Sequence, residues 1–224
     1  MSDEESGTKG ERTRDRIRSA ALSSFRTHGY EATTIRRIAD ELGMSVGATH
    51  YHFPSKNHLI QELYRDVQEA HRDAAVPLLA GEPRLIERLR IVFSTGVDQL
   101  EPYHAHAGEF LSAAVSPRSS INPLSEESAA AFAIVEDLFR GAVDGAVGAR
   151  LPGDIRRLLP RALVLVHLLL ALYWVYDSSA GRRRTRRLLD RGLALLGSAL
   201  PLTRLPLLRA PLADALALIG DVRR

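Results

Sequence analysis

The apolar residues of this chain recur with the spacing of α-helices, and no segment alternates apolar and polar residues as a β-strand does. The pattern predicts a first helix over about residues 11–28, with Ile17, Ala21 and Phe25 on its buried face and Gly29 at its end. Further helices are predicted at about residues 56–79, 84–100, 103–115, 123–148, 154–177, 183–200 and 207–219. The chain is therefore predicted to be all-α.

Between Thr33 and Lys56 the sequence predicts two short helices joined by a tight bend. The first has one apolar face, an N-cap at Thr34 and a left-handed stop at Gly43. Ser45 is placed to cap the second helix. Two caps separated by a glycine over so few residues are typical of a helix-turn-helix, the two-helix unit that reads DNA. The apolar face of the first helix consists of Ile35, Ile38, Ala39 and Leu42.

Cationic residues stand at helix starts in this region, where the helix dipole disfavours them. Arg36 and Arg37 fall in the first turn after Thr34, and Lys56 follows the predicted cap Ser55. Each of these cations costs about a few tenths of a kcal/mol against the dipole. A partner that brings negative charge to the helix ends would offset the cost, and the phosphate backbone of DNA is such a partner. The alternative interpretation is that these are solvated surface cations.

Composition agrees with a globular protein and divides the chain by charge. Its 224 residues include 45% hydrophobic and 25% charged residues, enough for a substantial core. The chain has no cysteine, which excludes disulfides and thiolate metal sites. Residues 9–60 and 181–224 are basic, whereas residues 61–180 are acidic. A basic N-terminal unit fits contact with nucleic acid, but that model does not explain the Arg182–Arg187 cluster.

Two segments bear on where the protein acts. Residues 1–10 begin with acidic and polar residues, unlike a secretory signal, and are predicted to form a disordered tail. The apolar run over residues 162–176 is shorter than the ~20 residues that span a bilayer. It also contains His167, so it is interpreted as core and subunit interface. We therefore expect a cytoplasmic protein without membrane contact.

The N-terminal region resembles one family, the TetR-type (tetracycline-repressor-like) transcriptional regulators. The resemblance covers about residues 11–70 and fixes these residues in one register: Ala21, Phe25, Gly29-Tyr30, Thr33-Thr34, Ile38-Ala39, Gly43, Ser45, Gly47, Phe53, Ser55-Lys56 and Leu59. Two positions depart from the family, which usually has an apolar residue where Thr49 stands and a tyrosine where His50 stands. Which base or phosphate His50 meets is left open by this departure.

The resemblance implies an architecture and a mode of action. Residues 11–71 are expected to form a three-helix DNA-binding domain, and residues 72–224 a helical bundle for effector binding and dimerisation. A homodimer of this kind places two recognition helices on a palindromic operator. Binding of a small-molecule effector then changes the separation of the two DNA-reading heads and releases the operator, so repression is the expected function.

The predicted recognition helix runs from Val46 to about His52, with its first residues at base edges in the major groove. Arg36 is the candidate for a bidentate guanine contact, and Val46 and Ala48 are candidates for thymine methyl groups. Most of the other polar candidates are expected on phosphates, where they set the register. The full set of DNA-contact candidates is Thr34, Arg36, Ser45, Val46, Gly47, Ala48, His50, Tyr51, His52 and Lys56. Phe53 is expected in the core.

For the C-terminal domain, candidate pocket residues are the aromatic side chains and a few polar groups, although most could equally be core. They are Phe93, Tyr103, His106, Phe110, Phe132, Glu136, Phe139, His167, Tyr173 and Trp174. The homodimer surface is expected within residues 154–200, which carry a leucine stripe. That stripe consists of Leu188, Leu189, Leu193, Leu196 and Leu200.

No metal, cofactor or catalytic site is predicted. His104 and His106 are two residues apart and do not share a helix face, although His106 and Glu109 do. No nucleophile constellation or glycine-rich phosphate loop is present, so the chain is not expected to be an enzyme. The competing hypothesis is a helical effector-binding or adaptor protein whose DNA-binding head is vestigial.

Overall fold

The computed structural model describes residues 8–220, which form ten α-helices and three 3-10 helices, with no strand among them. The all-α prediction is therefore confirmed. The α-helices are α1 (Lys9–Ala32), α2 (Ile35–Leu42), α3 (Val46–His52), α4 (Lys56–Leu79), α5 (Leu85–Leu100), α6 (Ala107–Ala114), α7 (Ala129–Asp144), α8 (Gly153–Val175), α9 (Arg183–Ala199) and α10 (Pro206–Gly220). The 3-10 helices are Glu101–His106, Ala180–Arg182 and Leu200–Arg204.

Helix α1 starts earlier than predicted because its first turn closes a capping box. The backbone N–H of Glu11 donates to Thr8 Oγ1 at 3.2 Å, and the N–H of Thr8 donates to a Glu11 carboxylate oxygen at 2.6 Å. Residues 9 and 10 therefore belong to α1 and not to the predicted tail; residues 1–7 of that tail lie outside the described part of the chain. Gly29 breaks the helical geometry, as expected, with φ +80°.

Two predicted helices in the middle of the chain are shorter than expected. The stretch predicted at 103–115 begins as the 3-10 helix Glu101–His106, which has Pro102 in its first turn, and only then becomes α6. The helix predicted from residue 123 starts at Ala129. Successive turn hydrogen bonds, from the N–H of Ser125 to Asn122 O and of Ser128 to Ser125 O, hold the preceding residues in a folded loop.

Two hydrophobic cores meet along α4. The N-terminal core gathers buried residues of α1, α2 and the first half of α4, including Ile17, Phe25, Ile38, Leu59 and Leu63. The C-terminal core begins at Ala75 in the second half of α4 and continues through α5, α7, α8 and α9. Tyr103, Ala114 and Ile121 join the N-terminal core, although they follow α5 in sequence. The domain boundary between residues 71 and 72 stays a prediction, and one continuous helix crosses it.

The buried carboxylate of Glu62 ties α1 to α4. Arg14 Nη2 lies 2.6 Å from Glu62 Oε1, Arg18 Nε lies 3.4 Å from Glu62 Oε2, and Arg65 also pairs with Glu62. Arg18 additionally contacts Asp66 at 2.6 Å. Because a largely buried carboxylate needs several donors to offset its lost hydration, this cluster holds the two helices in a fixed relative position.

Helix α8 has a buried side and an exposed apolar side. By length and apolar composition alone it is the one described helix that could cross a membrane, but it packs between α7 and α10, and its inward residues are buried. Val166, Leu169, Tyr173 and Tyr176 are exposed and recur at three- and four-residue steps, which places them on one face. This face, called the α8 stripe below, has no cover in the described part of a single chain.

The predicted leucine stripe of α9 points mainly inward. Leu189 and Leu193 are buried in the chain's own C-terminal core, and Leu196 and Leu200 pack partly against it. Of the five leucines only Leu188 is exposed. Helix α9 lies against α5, so most of these leucines pack within the monomer. The assignment of Leu189 and Leu193 to a subunit surface is therefore wrong.

Asp177 explains how α9 begins despite its arginines. Its carboxylate accepts hydrogen bonds from the N–H and hydroxyl of Thr185, both at 2.8 Å, and from the N–H and hydroxyl of Ser179 at 2.9 and 2.6 Å. Burial alone would raise the pKa of this carboxyl, but the four donors outweigh burial and hold the pKa well below its usual range. Within the arginine cluster, Arg182 pairs with Glu101 at 3.4 Å and Arg186 with Asp98 at 2.8 Å.

We expect Asp177→Asn to lower the free energy of unfolding by about 1–3 kcal/mol at neutral pH, because the amide brings a donor to a site already surrounded by donors. The folded-state pKa of Asp177 is depressed, so its contribution is present above about pH 4 and is lost as the pH falls through the folded-state pKa. The deficit of the variant should therefore shrink in acid. Urea unfolding between pH 3 and 7 measures it, with the exposed Asp214→Asn as control; a deficit that is independent of pH would contradict the assignment.

Candidate nucleic-acid interface

The caps predicted for the two short helices are formed. Thr34 Oγ1 accepts from the N–H of Arg37 at 3.1 Å, and Ser45 Oγ accepts from the N–H of Ala48 at 3.1 Å. Gly43 takes the left-handed conformation with φ +64°, and the N–H of Met44 closes the turn on Ala39 O at 2.9 Å. The short α2–α3 connection is thus fixed by local chemistry.

Helix α3 is held from behind by buried residues and by α1. Thr49 is buried and its hydroxyl donates to Ser45 O at 3.3 Å, which satisfies a polar group where the family usually has an apolar one. Phe53 is buried, as predicted, and the guanidinium carbon of Arg14 lies 4.3 Å from its ring centroid. Arg14 also donates to His52 O at 3.0 Å. These contacts set the orientation of α3 against α1.

The outward residues of α2 and α3 are accessible. Arg36, Gly47, Ala48, His50 and Tyr51 are exposed, and the Tyr51 side chain is 84% accessible. Val46 and His52 are half-buried. Within residues 8–220, no side-chain hydrogen bond or ion pair engages the guanidinium of Arg36 or Arg37. These two cations at a helix start therefore have no intramolecular compensation.

His50 has a local partner that the sequence did not reveal. Its Nδ1 lies 3.1 Å from Pro54 O, a group that can only accept, so Nδ1 carries a proton and donates this bond. This bond ties the end of α3 to the loop that enters α4. Nε2 is therefore the ring nitrogen that this bond leaves for a ligand.

Lys56 also has partners inside the chain. Its Nζ lies 3.8 Å from the centroid of the Tyr30 ring and 3.5 Å from Glu31 O. Desolvation lowers the pKa of Lys56, and the nearby Glu31 and Glu109 carboxylates oppose this shift. The fold therefore gives Lys56 partners of its own, and its predicted contact with a phosphate stays a prediction. From the sequence, Tyr30 is recognisable only as part of the Gly29-Tyr30 motif and not as a partner of Lys56.

Glu109 joins α6 to the end of α1. One carboxylate oxygen accepts from the N–H of Glu31 at 2.9 Å, and the other lies 3.0 Å from His106 Nδ1. The hydrogen bond from Glu31, followed by that from His106, lowers the pKa of Glu109. The approach requires Gly29, because a Cβ there would lie 2.5 Å from Glu109 Oε2 and 2.6 Å from His106 Nδ1. His104 points elsewhere and donates to Trp174 O at 3.1 Å.

The ten candidates for the effector pocket lie in separate places. Five are buried in or beside the C-terminal core: Phe93, Phe132, Phe139, His167 and Trp174. Tyr103 and Phe110 pack on the N-terminal core instead, and His106 bonds Glu109. Glu136 pairs with Arg140 at 2.7 Å, and Tyr173 is exposed on the α8 stripe. The ten candidates therefore do not share one place in the fold, and a pocket lined by the core group stays a prediction.

A capped, outward-facing helix-turn-helix on a larger helical domain defines the class of helix-turn-helix regulators. Residues 17–63 match the profile of the bacterial regulatory proteins of the tetR family, and residues 88–214 match that of the tetracyclin repressor-like C-terminal domain. The chain belongs to the TetR family of bacterial regulatory proteins.

Individual curated relatives match less than half of the chain. The transcriptional repressor KstR2 of Mycolicibacterium smegmatis is 30% identical over 92 residues, which cover 41% of this chain and 45% of that protein. The repressor AcnR of Corynebacterium glutamicum is 37% identical over 84 residues, which cover 38% of this chain and 42% of that protein. The match thus spans less than half the length of these curated relatives.

Solved structures share the fold over most of the chain. A TetR regulator of Nitrosomonas europaea superposes with a TM-score of 0.61 at 19% identity, covering 82% of this chain and 96% of that one. The TetR-family repressor FadR of Thermus thermophilus, in complex with lauroyl-CoA, gives a TM-score of 0.60 at 24% identity and covers 82% and 92%. At such identities the likeness supports the fold alone.

We expect Gly29→Ala to lower the free energy of unfolding by about 1–3 kcal/mol, because an L residue is strained at this φ and its Cβ would collide with Glu109. In a Glu109→Ala background the same change should cost less, since the collision with the carboxylate is gone and only the conformational strain and the contact with His106 remain. Urea unfolding measures both values. Gly192→Ala on α9, where nothing lies within 4 Å of an added Cβ, is the control and should be neutral or slightly stabilising. Equal costs in the two backgrounds would show that the close approach is unimportant.

Proposed function

We propose that this chain is a homodimeric, DNA-binding transcriptional repressor that a small-molecule effector releases from a palindromic operator. The observation that carries the proposal is the pair of unpaired cations, Arg36 and Arg37, at the start of a capped helix that supports an exposed recognition helix. Family membership and the repressor names of the partial relatives support it. Such a protein acts by binding in the cytoplasm, and we assign it no catalytic role.

The DNA-facing surface would use the exposed side of α2 and α3. Arg36 would read a guanine, while Val46, Gly47 and Ala48 would allow close approach of the helix to base edges. Thr34, Ser45, Tyr51, His52 and Lys56 would meet phosphates. The bond from His50 to Pro54 leaves Nε2 for DNA, and in the neutral ring Nε2 is an acceptor, which suits an exocyclic amine of a base better than a phosphate.

The α8 stripe supports dimerisation. A single chain leaves Val166, Leu169, Tyr173 and Tyr176 in water, and contiguous apolar surface of this kind favours association. A two-fold axis next to α8 would bury the stripe of one subunit against the same stripe of the other subunit. Helix α10 packs on α8 and carries further exposed leucines, among them Leu207 and Leu212.

Selection of duplexes from a random pool, followed by titration of the selected sequence, tests the proposal. The expected result is a two-fold symmetric site bound by a dimer much more tightly than a shuffled duplex at moderate salt. The competing hypothesis of an adaptor with a vestigial head predicts no preference between the two duplexes. It also predicts no response to changes on α2, which the following comparison measures.

Substitutions of Arg36 and Lys56 should weaken DNA binding in different ways. Arg36→Ala should cost about 1–3 kcal/mol on the selected palindrome and relax preference at one base pair per half-site. Lys56→Ala should weaken all duplexes alike and reduce the salt slope of binding by about one unit per subunit. Fluorescence anisotropy across a salt series, with selected and shuffled duplexes, separates the two effects.

Arg118→Ala is the matched control, because Arg118 is an exposed arginine in the loop between α6 and α7. It should change neither affinity nor salt slope. If Arg36→Ala behaved like this control, the guanine contact would be refuted. If Lys56→Ala left both the affinity and the salt slope unchanged, the assignment of Lys56 to a phosphate would be refuted.

Leu169→Glu should convert the dimer to a monomer, because Leu169 is 63% exposed in a single chain and lies on the α8 stripe. Burying two carboxylates across a two-fold axis would cost far more than the apolar contact gains. Sedimentation velocity measures the change. Val147→Glu, at an exposed apolar residue in the loop between α7 and α8, should leave the dimer intact. A variant at Leu169 that stays dimeric would place the interface elsewhere.

A further inference from the structure

A histidine interrupts the most apolar helix of the chain. His167 lies in the middle of α8 and is only 4% accessible. Its ring stacks on that of His71 from α4, with centroids 5.6 Å apart, and lies 6.0 and 6.2 Å from the Phe93 and Phe139 rings. An imidazole therefore occupies a position in the C-terminal core where an apolar side chain would ordinarily pack.

A glycine opposite the imidazole makes the room for it. Gly96 is buried within α5, and a Cβ at this position would lie 2.9 Å from His71 Cε1 and closer still to His167 Cε1. Glycine in a helix interior is unfavourable relative to alanine. Gly96 is therefore a second locally unfavourable residue at this place, beside the buried imidazole of His167. Its missing side chain leaves room for the two histidine rings.

The two histidines differ in their hydrogen bonding. His71 Nε2 donates to Val92 O at 2.8 Å, and His71 Nδ1 lies 3.2 Å from Gln68 Oε1. His167 Nδ1, by contrast, is buried with no hydrogen-bond partner among the described residues. A buried polar atom without a partner is rare in proteins because it loses its bonds to water and gains nothing. His71 is accounted for by the fold, whereas His167 is not.

The surroundings favour an uncharged imidazole. Desolvation lowers the pKa of His167 to about 3, and His71 opposes its charging further. The neutral ring offers one N–H donor and one acceptor nitrogen. Arg88 is the only buried arginine or lysine of the described chain, and its guanidinium already donates to the carbonyls of Leu79, Glu82, Gly141 and Ala142. No cation is therefore free in this core to receive an anion.

We infer that His167 is the hydrogen-bonding anchor for the effector, and that the effector end that reaches it is uncharged, mainly apolar and bears a hydroxyl or carbonyl group. The inference rests on the proposed function, which supplies the effector. The ligand would enter between α5, α7 and α8 by displacing Phe93 and Phe139, the rings that border the imidazole. A carboxylate would be excluded, because the core holds no partner for its charge.

The first test needs no ligand. A histidine kept for binding should be replaceable by an apolar residue of similar volume with a gain in stability, so we expect His167→Leu to raise the thermal midpoint by roughly 2–4 °C. His71→Leu is the matched control and should lower the midpoint, because it loses the bond to Val92 O. A midpoint for His167→Leu lowered as much as that of His71→Leu would overturn the inference by showing that His167 is a satisfied structural residue.

The second test uses four ten-carbon probes of equal length: 1-decanol, 2-decanone, decanoate and decane. Fluorescence of Trp174, the single tryptophan and a member of the same core, reports binding. The alcohol or the ketone should bind the wild-type dimer at least about tenfold more tightly than decanoate and decane. His167→Leu should remove that preference, and His167→Gln, which keeps a donor and an acceptor, should retain part of it.

Equal affinity for all four probes, tighter binding of decanoate, binding of none, or a preference unchanged in His167→Leu would each overturn the inference. Preference of the wild-type protein for a palindromic duplex is measured separately without any probe. A protein that binds its operator but shows no probe preference would refute the anchor alone. Probe selectivity without operator binding would refute the repressor assignment while leaving the anchor in place.

Discussion

The structure depends on α4 being one uninterrupted helix that serves two cores. Its first half carries Leu59 and Leu63 into the N-terminal core, and its second half carries Ala75 and Leu79 into the C-terminal core. The buried carboxylate of Glu62, which pairs with Arg14 and Arg18, locks α1 onto the first half. Because Arg14 also holds the end of α3 through His52 O, a rotation of α4 must carry the recognition helix with it. Helix α4 therefore contacts both the helix-turn-helix region and the helical bundle.

A second connection runs through Glu109 and restricts how the two parts can separate. The carboxylate holds the backbone of Glu31 just beyond the break at Gly29, while Lys56 contacts the neighbouring Tyr30 ring from the start of α4. Phe110 of α6 packs against Phe25 and Tyr30, with centroids 5.8 and 5.9 Å away. A displacement of α6 would be felt at the end of α1 and the start of α4 together. Two elements, α4 and α6, therefore couple the N-terminal core to the rest of the helical bundle.

The sequence predicted what short-range chemistry determines. The caps at Thr34 and Ser45, the left-handed Gly43 and the buried Phe53 each depend on a few neighbouring residues, and each is confirmed. It failed where the outcome depends on packing between distant segments. The leucines of α9 were assigned to a partner subunit because periodicity shows only that one face is apolar, not what covers it, and α5 covers them. The role of Glu109 cannot be predicted from the sequence for the same reason. Its hydrogen-bond partner Glu31 is far away in sequence, and the two residues meet only because Gly29 permits a close approach.

Cations at helix starts, which first suggested an anionic partner, have different surroundings at three helices. At α9 the internal carboxylate of Asp177 occupies the helix start, and Arg182 and Arg186 have ion pairs of their own. At α4 the Tyr30 ring and Glu31 O receive Lys56, which weakens the argument from charge alone. At α2 neither Arg36 nor Arg37 has an ion pair within the described residues, and the cap Thr34 is neutral. A cation against the dipole is therefore evidence for a bound anion only where the fold provides no partner, and among these three helices that criterion selects α2, the helix that supports α3.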